Sequence, residues 1–571
     1  MLAGGPPFTG PSAQAILARH TLDPVPPLRT IRPELPAAVD KAVGTALAKA
    51  PADRFPNAEA FNDVLTQAAT SPSLARQVMR PALFITIGVV ALMAGYLLLD
   101  GRPAGRSSDE PNLSIAVLAF KNIGGDATNE PFSDGMSDEL TTALGKIEGL
   151  RVAARSGAFH FKDKDVVPQE IGRQLHVLYV LAGGVRTGGN QRRVSAQLIN
   201  VAEGNEVWSA EYDRDVRDRD VFAVQDEITR AIIAELRVHL SSTASAALAK
   251  RPTESPEAHD LYLQGRYFYA KRDSASLRKA REYFGRSIQQ DSTYALAWSG
   301  LSDAYSHSSV FGYVAPKEIF PQAKAAALRA LALDSSLVEV HTSLGFIALF
   351  YDWDWPTAAR EFDQALSINP RYAEAHLFHG WYFVATNRIG DAVAEVQTAV
   401  QLDPFSLVNN ARLASMLFYA RRYNEMLAQS RHLIELDSTY FQGRAELARA
   451  YLQLGRCAES LAALAQAPEQ TASLFRGFLG YAYARCGHRT QALAELEHLH
   501  VEVREGQYVS HFAFARIYAG LGDNDRAFAE LDSASVERGW PMFTIRVEPT
   551  FDGLRTDPRF ERLLKKVGLV S

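Results

Sequence analysis

Three groups of side chains in the sequence have the types that metal binding or redox chemistry requires. They are a carboxylate group, a histidine pair and a cysteine pair: Asp134, Asp138 and Glu139; His376 and His379; Cys457 and Cys486. No histidine or further carboxylate stands at ligand spacing beside the carboxylates, which favours a helix surface over a cation site. The histidines share a helix face without an apparent third ligand, so packing or surface roles are favoured over metal binding. We therefore predict no catalytic, cofactor-binding or metal-binding residue.

The cysteines and the glycine pairs leave two further readings to weigh. Cys457 and Cys486 would form a disulfide if this part of the chain lies outside the cytoplasm, but unpaired packing cysteines are the favoured prediction.

Gly183-Gly184 and Gly188-Gly189 lack the strand–loop–helix context of a phosphate-binding loop. We interpret these glycines as strand-end bends and turns.

Length and composition indicate several ordinary globular domains. The chain has 571 residues, 47% of them apolar and 22% charged, and about 150 residues per domain gives three or four domains. Sixty basic and sixty-five acidic residues leave a net charge of −5, without the basic field typical of nucleic-acid-binding proteins. We expect neither a nucleic-acid partner nor a small-molecule substrate.

One segment, residues 81–99, is apolar throughout. It contains nineteen residues without a charge and is flanked by Arg80 and Asp100. A helix of that length is roughly 28 Å long, about the thickness of the hydrocarbon core of a bilayer. The pattern predicts a single transmembrane helix, followed by a polar linker at residues 101–112.

Residues 1–70 carry the motifs PPFTG (Pro6–Gly10) and KAPADRF (Lys49–Phe55). With these motifs the segment resembles the end of a bacterial serine/threonine protein kinase domain, a short all-α remnant of the C-lobe. The Gly-rich loop, lysine and aspartates that phosphoryl transfer requires are not found in this chain. In the family, the arginine matching Arg54 pairs with a glutamate in the missing part. Two readings stay open: a non-catalytic remnant, or the truncated product of a transmembrane kinase.

Residues 113–240 alternate strand-like and helical patterns, which predicts an α/β domain. The stretches SIAVLAFKNIGGD, LYVLAGGVR and VWSAEYDRD resemble the TolB amino-terminal-like domain of bacterial signalling proteins. That resemblance implies a role in interaction or assembly rather than in catalysis.

Residues 256–571 recur with a period near 34 residues. Polar residues that end successive helix pairs lie 35, 34 and 34 residues apart, at Asp334, Asn369, Asp403 and Asp437. This period is typical of tetratricopeptide (TPR) repeats, which stack two antiparallel helices per unit into a superhelix with a concave groove. We predict about eight repeats and a C-terminal capping helix.

The groove is the predicted partner site. By the repeat pattern, five aromatic and basic residues of the first helices face inward: Phe346, Phe350, Trp381, Tyr419 and Arg449. Aromatic residues and arginine are favoured in protein interfaces, although some of the five would instead pack between helices.

Together these observations predict a multidomain fold: an all-α kinase remnant, one transmembrane helix, a TolB-like α/β domain and an all-α TPR superhelix. We expect a single-pass protein of the bacterial inner membrane, with residues 1–80 cytoplasmic and 101–571 periplasmic or extracellular. Its predicted function is a non-catalytic scaffold or sensor that captures a protein or peptide. The alternatives are the truncated kinase and a regulator of a separate cyclase or other output protein.

Overall fold

The computed structural model describes residues 29, 37–48, 55, 57, 60, 61, 64, 113–124, 129–147, 149–164, 166–188, 191–215, 221–236, 251–465 and 473–569. These residues belong to two compact units, residues 1–108 and 109–571.

The first unit contains helix α1 (Ala37–Ala46). Val39 and Ala42 of this helix are buried, and the rings of Phe55 and Phe61 lie 5.4 Å apart. Arg54 and most of the kinase-like segment lie outside the described residues, so the kinase-like fold of residues 1–70 stays a prediction.

The second unit begins with a mixed sheet. Its strands run in the order β3–β1–β4–β5–β6, with β2 beside β4. The first three strands are parallel to their neighbours, whereas β4, β5 and β6 form an antiparallel meander. The strand bounds are β1 (Ser114–Val117), β2 (Lys121–Asn122), β3 (Arg151–Val152), β4 (Tyr179–Gly188), β5 (Gln191–Asn200) and β6 (Glu206–Asp215).

Helices pack on both faces of this sheet. All four residues of β1 are buried, as expected for a parallel strand covered on two sides. One face packs against α2 (Glu130–Gly145) and α5 (Val221–Glu235), and the other against α3 (Arg155–His160) and α4 (Pro168–Gln174). Gly183 and Gly184 lie within β4, not at its end. Glycine is required at position 183 because a Cβ there would come within 2.5 Å of the Ser195 carbonyl oxygen.

Eight pairs of antiparallel helices follow in the described part of residues 251–569. The pairs are α6 (Pro256–Lys271) with α7 (Ser274–Gln290), α8 (Ala295–Val310) with α9 (Pro316–Leu333), α10 (Val338–Ile347) with α11 (Trp355–Ile368), α12 (Ala373–Ala385) with α13 (Ile389–Leu402), α14 (Leu407–Tyr419) with α15 (Tyr423–Leu436), α16 (Phe441–Gln453) with α17 (Cys457–Leu464), α18 (Ser473–Arg485) with α19 (Arg489–Arg504), and α20 (His511–Leu521) with α21 (Asn524–Glu537). We number them repeats 1 to 8. A last helix, α22 (Pro558–Val567), packs against α21.

Small residues let the two helices of a repeat approach closely. A Cβ at Gly345 would lie 2.7 Å from the ring of Phe362, and one at Gly380 would lie 2.5 Å from Val396. First helices of successive repeats also contact each other, so they form the inner layer of the stack. The predicted TPR superhelix is confirmed.

The predicted fold class is wrong in its membrane-spanning part. The described residues form a mostly helical superhelix with one small sheet. No helix among them is both long and apolar enough to cross a bilayer. At 18 residues, α9 is the longest helix in the described ranges, and it carries Lys317, Glu318, Lys324 and Arg329, because its outer face meets water. The segment Pro81–Leu99 lies outside the described residues.

Candidate protein-interaction surface

The five residues predicted to bind a partner come together on the inner layer of repeats 3 to 6. The ring centroids of Phe346 and Phe350 are 4.1 Å apart, those of Phe350 and Trp381 6.5 Å, and those of Trp381 and Tyr419 5.8 Å. Arg449 on α16 extends the surface. We call these five residues the inner aromatic surface.

A π-helical turn positions Phe350 on this surface. The turn spans Ala348–Asp352 and follows α10 directly. Its wider winding inserts a residue relative to an α-helix, and Trp353 then ends the helix in the left-handed conformation, with a φ of 56°. The result is that Phe350 stacks on Phe346 and faces the inner layer of the superhelix.

The inner aromatic surface is covered by the chain's own C-terminal region. After α21, residues 538–554 cross the first helices through two short 3₁₀ turns; we call them the closing segment. The Trp540 ring lies 5.1 Å from the rings of both Phe350 and Trp381, and the Phe543 ring lies 5.0 Å from that of Phe350. Phe350 and Trp381 are consequently only 3% and 2% exposed.

Buried charges hold the middle of the closing segment. Arg516 Nη2 lies 3.2 Å from Glu548 Oε2 of the closing segment. Arg449 Nη1 lies 2.9 Å from Glu446 Oε2 on its own helix, α16. Burial raises the pKa of Glu548, but the charges of Arg516 and Arg449 outweigh it and leave the pKa below its usual value. Burial, and then the charge of Glu548, raise the pKa of Tyr419 to about 12.

Hydrogen bonds and an ion pair fix the two ends of the closing segment. Arg538 donates to the carbonyl oxygens of Tyr351 and Asp352, at 3.1 and 2.6 Å. At the other end Arg421 and Asp552 form a bidentate pair with distances of 2.6 and 2.7 Å. The sequence pattern of repeats gave no signal for this segment, because it has no helical periodicity of its own.

A second part of the inner layer, in repeats 1 to 4, carries a group of polar and charged side chains, three of which stay partly exposed. We call Arg266, Arg272, Asp303, Tyr372 and Glu374 the charged cluster. The side chains of Arg266, Arg272 and Glu374 are 38%, 25% and 34% exposed. Arg272 lies 3.9 Å from Glu374, and the Tyr372 hydroxyl donates to Glu374 at 3.2 Å.

Asp303 is the most perturbed member of the charged cluster. Burial, followed by the negative charge of Glu374, raises the pKa of Asp303 to about 8, against a 2.6 Å hydrogen bond from the Ser343 hydroxyl. Sequence reasoning missed these residues.

The acidic residues of α2 join the sheet domain to the first repeat. Asp138 pairs with Arg155 at 2.7 Å, and Glu139 lies 3.6 Å from His259 of α6. Asp134 is buried and bonds Lys162 at 2.6 Å. These three carboxylates of α2 are therefore each engaged by a basic side chain of the chain itself.

The histidines predicted to pack are part of a repeated contact within single repeats. In each case a histidine on the first helix meets a glutamate 19 or 20 residues later on the second: His341 with Glu361 at 2.8 Å, His376 with Glu395 at 2.6 Å, and His511 with Glu530 at 2.6 Å. His379 lies 3.4 Å from the same Glu395. Among the described residues no group of three His, Cys, Asp or Glu side chains is arranged to hold a metal.

Glu395 and His376 shift each other's protonation. Burial raises the pKa of Glu395, but the hydrogen bonds and charges of His376 and His379 lower it to about 2. Burial lowers the pKa of His376, and the bond to Glu395 reverses this, so the net pKa is raised. The pair is therefore an ion pair across a wide pH range.

The two cysteines form a disulfide. Cys457 and Cys486 have a Cα–Cα distance of 5.6 Å and join α17 of repeat 6 to the end of α18 in repeat 7. The prediction of unpaired packing cysteines is wrong, because the stacking of repeats brings the start of one second helix beside the next first helix.

A cavity of about 1200 Å³ lies beside the sheet. Its lining includes residues 118–123 after β1, Lys162 and Tyr267. Lys162 is engaged with Glu130 and Asp134, so this cation is already neutralised by the chain itself.

Comparison with known proteins finds partial relatives. No protein-family profile matches the chain. A protein named Putative adenylate cyclase 3 from Rhizobium meliloti (strain 1021) is 36% identical over 212 residues, 35% of this chain and 36% of that one. The serine/threonine-protein kinase PknD of Mycobacterium tuberculosis is 37% identical over 70 residues, 11% of this chain and 10% of the kinase. The chain thus spans about a third of the first relative and a tenth of the second.

The solved structures that resemble this chain include repeat proteins. One is a thermophilic TPR protein of Thermus thermophilus, with 19% identity and a TM-score of 0.30 over 34% of this chain and 99% of that one. The repeats are assigned from the eight antiparallel helix pairs and not from this similarity.

Proposed function

We propose that this chain is a protein-interaction scaffold whose charged cluster binds an extended, basic segment of a partner protein. The observation that carries the proposal is the contrast in accessibility along the inner layer. The closing segment leaves Phe350 and Trp381 only 3% and 2% exposed, whereas the Arg266 and Glu374 side chains of the charged cluster remain about a third exposed. Concave surfaces of stacked repeats are the usual place for extended ligands.

The two carboxylates of the cluster, Asp303 and Glu374, favour a basic side chain of the partner at that point. The pKa of Asp303 is raised first by burial and then by the negative charge of Glu374 beside it. A lysine or arginine of a partner, placed between these two carboxylates, would stabilise the ionised form of Asp303. Binding then becomes tighter as the pH rises toward about 8, the pKa of Asp303 in the free chain, and levels off above it.

A peptide screen on the full chain tests this proposal. Dodecapeptides of random sequence are selected for binding, and the dissociation constants of the enriched peptides are measured at pH 6.5 and 8.5. We expect enrichment in lysine and arginine, and tighter binding at pH 8.5.

Three variants locate the binding. Glu374→Gln and Asp303→Asn should each weaken binding at least tenfold. Glu282→Gln, on the exposed side of α7, removes the same charge away from the cluster and should leave binding unchanged. Peptides without basic residues, or equal binding by all variants, would contradict the proposal.

A second candidate function is control of an output domain. The support is the 36% identity over 212 residues with the protein named as an adenylate cyclase. A third is the back part of a serine/threonine kinase, supported by the 70-residue match to PknD. Reading the DNA upstream of the Met1 codon in the same frame separates them: an open frame encoding a Gly-rich loop and a catalytic aspartate supports the kinase, and one encoding a cyclase supports output control.

We also propose that the repeats function in an oxidising compartment. The support is the Cys457–Cys486 pair, because disulfides persist mainly outside the cytoplasm. Alkylation of the denatured protein, taken from unreduced cells, should label neither cysteine; labelling of both would contradict the proposal.

A further inference from the structure

The closing segment has the features of a bound peptide. It belongs to none of the eight helix pairs, and it lies across first helices of several repeats. Three of its side chains meet the inner aromatic surface or the arginines beside it: Trp540, Phe543 and Glu548.

The two aromatic side chains occupy one continuous apolar site. Trp540 stacks on Phe350 with an interplanar angle of 25° and meets Trp381 edge to face at 85°. Phe543 meets Phe350 at 69° and Trp381 at 90°. Such mixed stacked and edge contacts are the arrangement by which aromatic residues anchor protein interfaces.

The carboxylate occupies a separate, basic site. Arg516 lies 3.2 Å from Glu548, and the guanidinium of Arg449 adds a second positive charge near it. Arg449 also lies 3.8 Å above the ring of Phe418, which holds its guanidinium in place. Both arginines belong to first helices, α16 and α20, so they are part of the inner layer and not of the closing segment.

We propose that residues 540–548 are an internal ligand, and that a partner segment with the same side chains at the same spacing takes their place. The partner presents two aromatic residues three positions apart and a carboxylate five positions after the second. This site lies apart from the charged cluster, so the inference stands or falls independently of the function proposed above.

Exposed anchors at the outer end make release of the segment reasonable. Arg421 and Asp552 are 47% and 40% exposed, and ion pairs of that kind add little stability. An internal ligand on a short tether competes at an effective concentration in the millimolar range. A partner segment can bind only the molecules in which the closing segment is released. Its apparent association constant is therefore the intrinsic constant multiplied by the fraction of open molecules.

Hydrogen exchange on the unmodified chain gives the first test. We expect the amides of residues 542–551 to exchange through a local opening, at least tenfold faster than those of α12 and α14. Exchange at the same rate as these two helices would show a permanent core element and would overturn the proposal.

Peptide binding gives the second test. The probe is a fluorescein-labelled synthetic peptide with the sequence of residues 538–554, titrated into the full chain. Glu548→Gln in the chain weakens the internal ligand and leaves the inner layer intact, so the peptide should bind at least tenfold more tightly than to the unmodified chain.

Controls make the second test specific. Glu561→Gln, on the exposed surface of α22, should not change the affinity of the peptide. A peptide that itself carries the glutamine should lose most of the gain. Equal affinity for the unmodified and Glu548→Gln chains would overturn the proposal, and the exchange experiment decides the question if the variant does not fold.

Discussion

The covered and accessible parts of the inner layer place arginine–carboxylate pairs in different surroundings. Under the closing segment, Arg449 and Arg516 are 13% and 11% exposed, and the glutamates they meet are fully buried. In the charged cluster, the Arg272 and Glu374 side chains are 3.9 Å apart and a quarter to a third exposed. Removing one partner of a buried pair leaves an uncompensated buried charge, whereas exposed pairs add little to stability.

The comparison shows how one repeat architecture separates stability from recognition. First-helix positions become core where another part of the chain covers them. In the charged cluster the same kind of position stays partly exposed, with the Arg266 and Glu374 side chains 38% and 34% exposed. The two parts should therefore respond differently to substitution.

Trp381→Ala should produce the largest loss of stability. The side chain is 2% exposed and contacts Phe350, Tyr419 and Trp540, so truncation leaves a large cavity. We expect a loss of about 3–5 kcal/mol in the free energy of unfolding, measured as a lower midpoint of urea unfolding followed by the circular dichroism of the helices. A loss no greater than that of Arg266→Ala would show that the covered positions contribute no more to stability than the charged cluster does.

Removal of the disulfide should have the next largest effect. The double variant Cys457→Ala, Cys486→Ala opens a loop with a sequence separation of 29 residues. The chain-entropy relation gives a loss of about 3–4 kcal/mol for a loop of that size. Reduction of the unmodified chain should reproduce the lower urea midpoint, and an unchanged midpoint on reduction would argue against the bridge.

The repeats were predictable because their signal is local and recurs. Helices α10, α12, α14 and α16 begin at Val338, Ala373, Leu407 and Phe441, the residues at which the 34-residue period places new units. Each repeat buries its apolar face on its neighbours, so every unit must have apolar residues at the same positions.

The closing segment and the disulfide were not predictable in this way. Trp540 meets Phe350 across 190 positions of the chain, and no period or motif records such a contact. The sequence pattern gave no indication that Trp540 and Phe543 cover the inner aromatic surface, because apolar first-helix positions have the same pattern whether a partner or the chain itself covers them.

The His376–Glu395 pair should give a smaller, pH-dependent contribution. The pKa of Glu395 is lowered to about 2, so its contribution is present above the usual value of 4.5 and is lost as the pH falls toward 2. The pKa of His376 is raised, so its contribution is complete below 6.5 and is lost as the pH rises through the raised value.

Glu395→Gln tests this contribution. Between pH 4.5 and 6.5 the variant should lose about 1–3 kcal/mol, and the difference from the unmodified chain should shrink on either side of that window. Urea midpoints between pH 2.5 and 9 measure it. A difference that does not vary with pH would show that packing, and not the ion pair, accounts for the loss.

Glu374→Gln should have the smallest effect on stability and a distinct effect on ionisation. The Glu374 side chain is 34% exposed and its pair with Arg272 is 3.9 Å long, so at pH 7 we expect a change in stability within about 0.5 kcal/mol.

The charge of Glu374 is, after burial, the main reason that the pKa of Asp303 is raised to about 8. A raised pKa means that Asp303 favours the folded state at low pH and that this contribution is lost as the pH rises toward 8. The variant should therefore lower the pKa of Asp303, measured from its carboxyl ¹³C shift, and flatten the loss of stability between pH 4 and 8. An unchanged pKa would mean that the two carboxylates do not sense each other, and the charged cluster would then offer a partner's basic side chain no shared site.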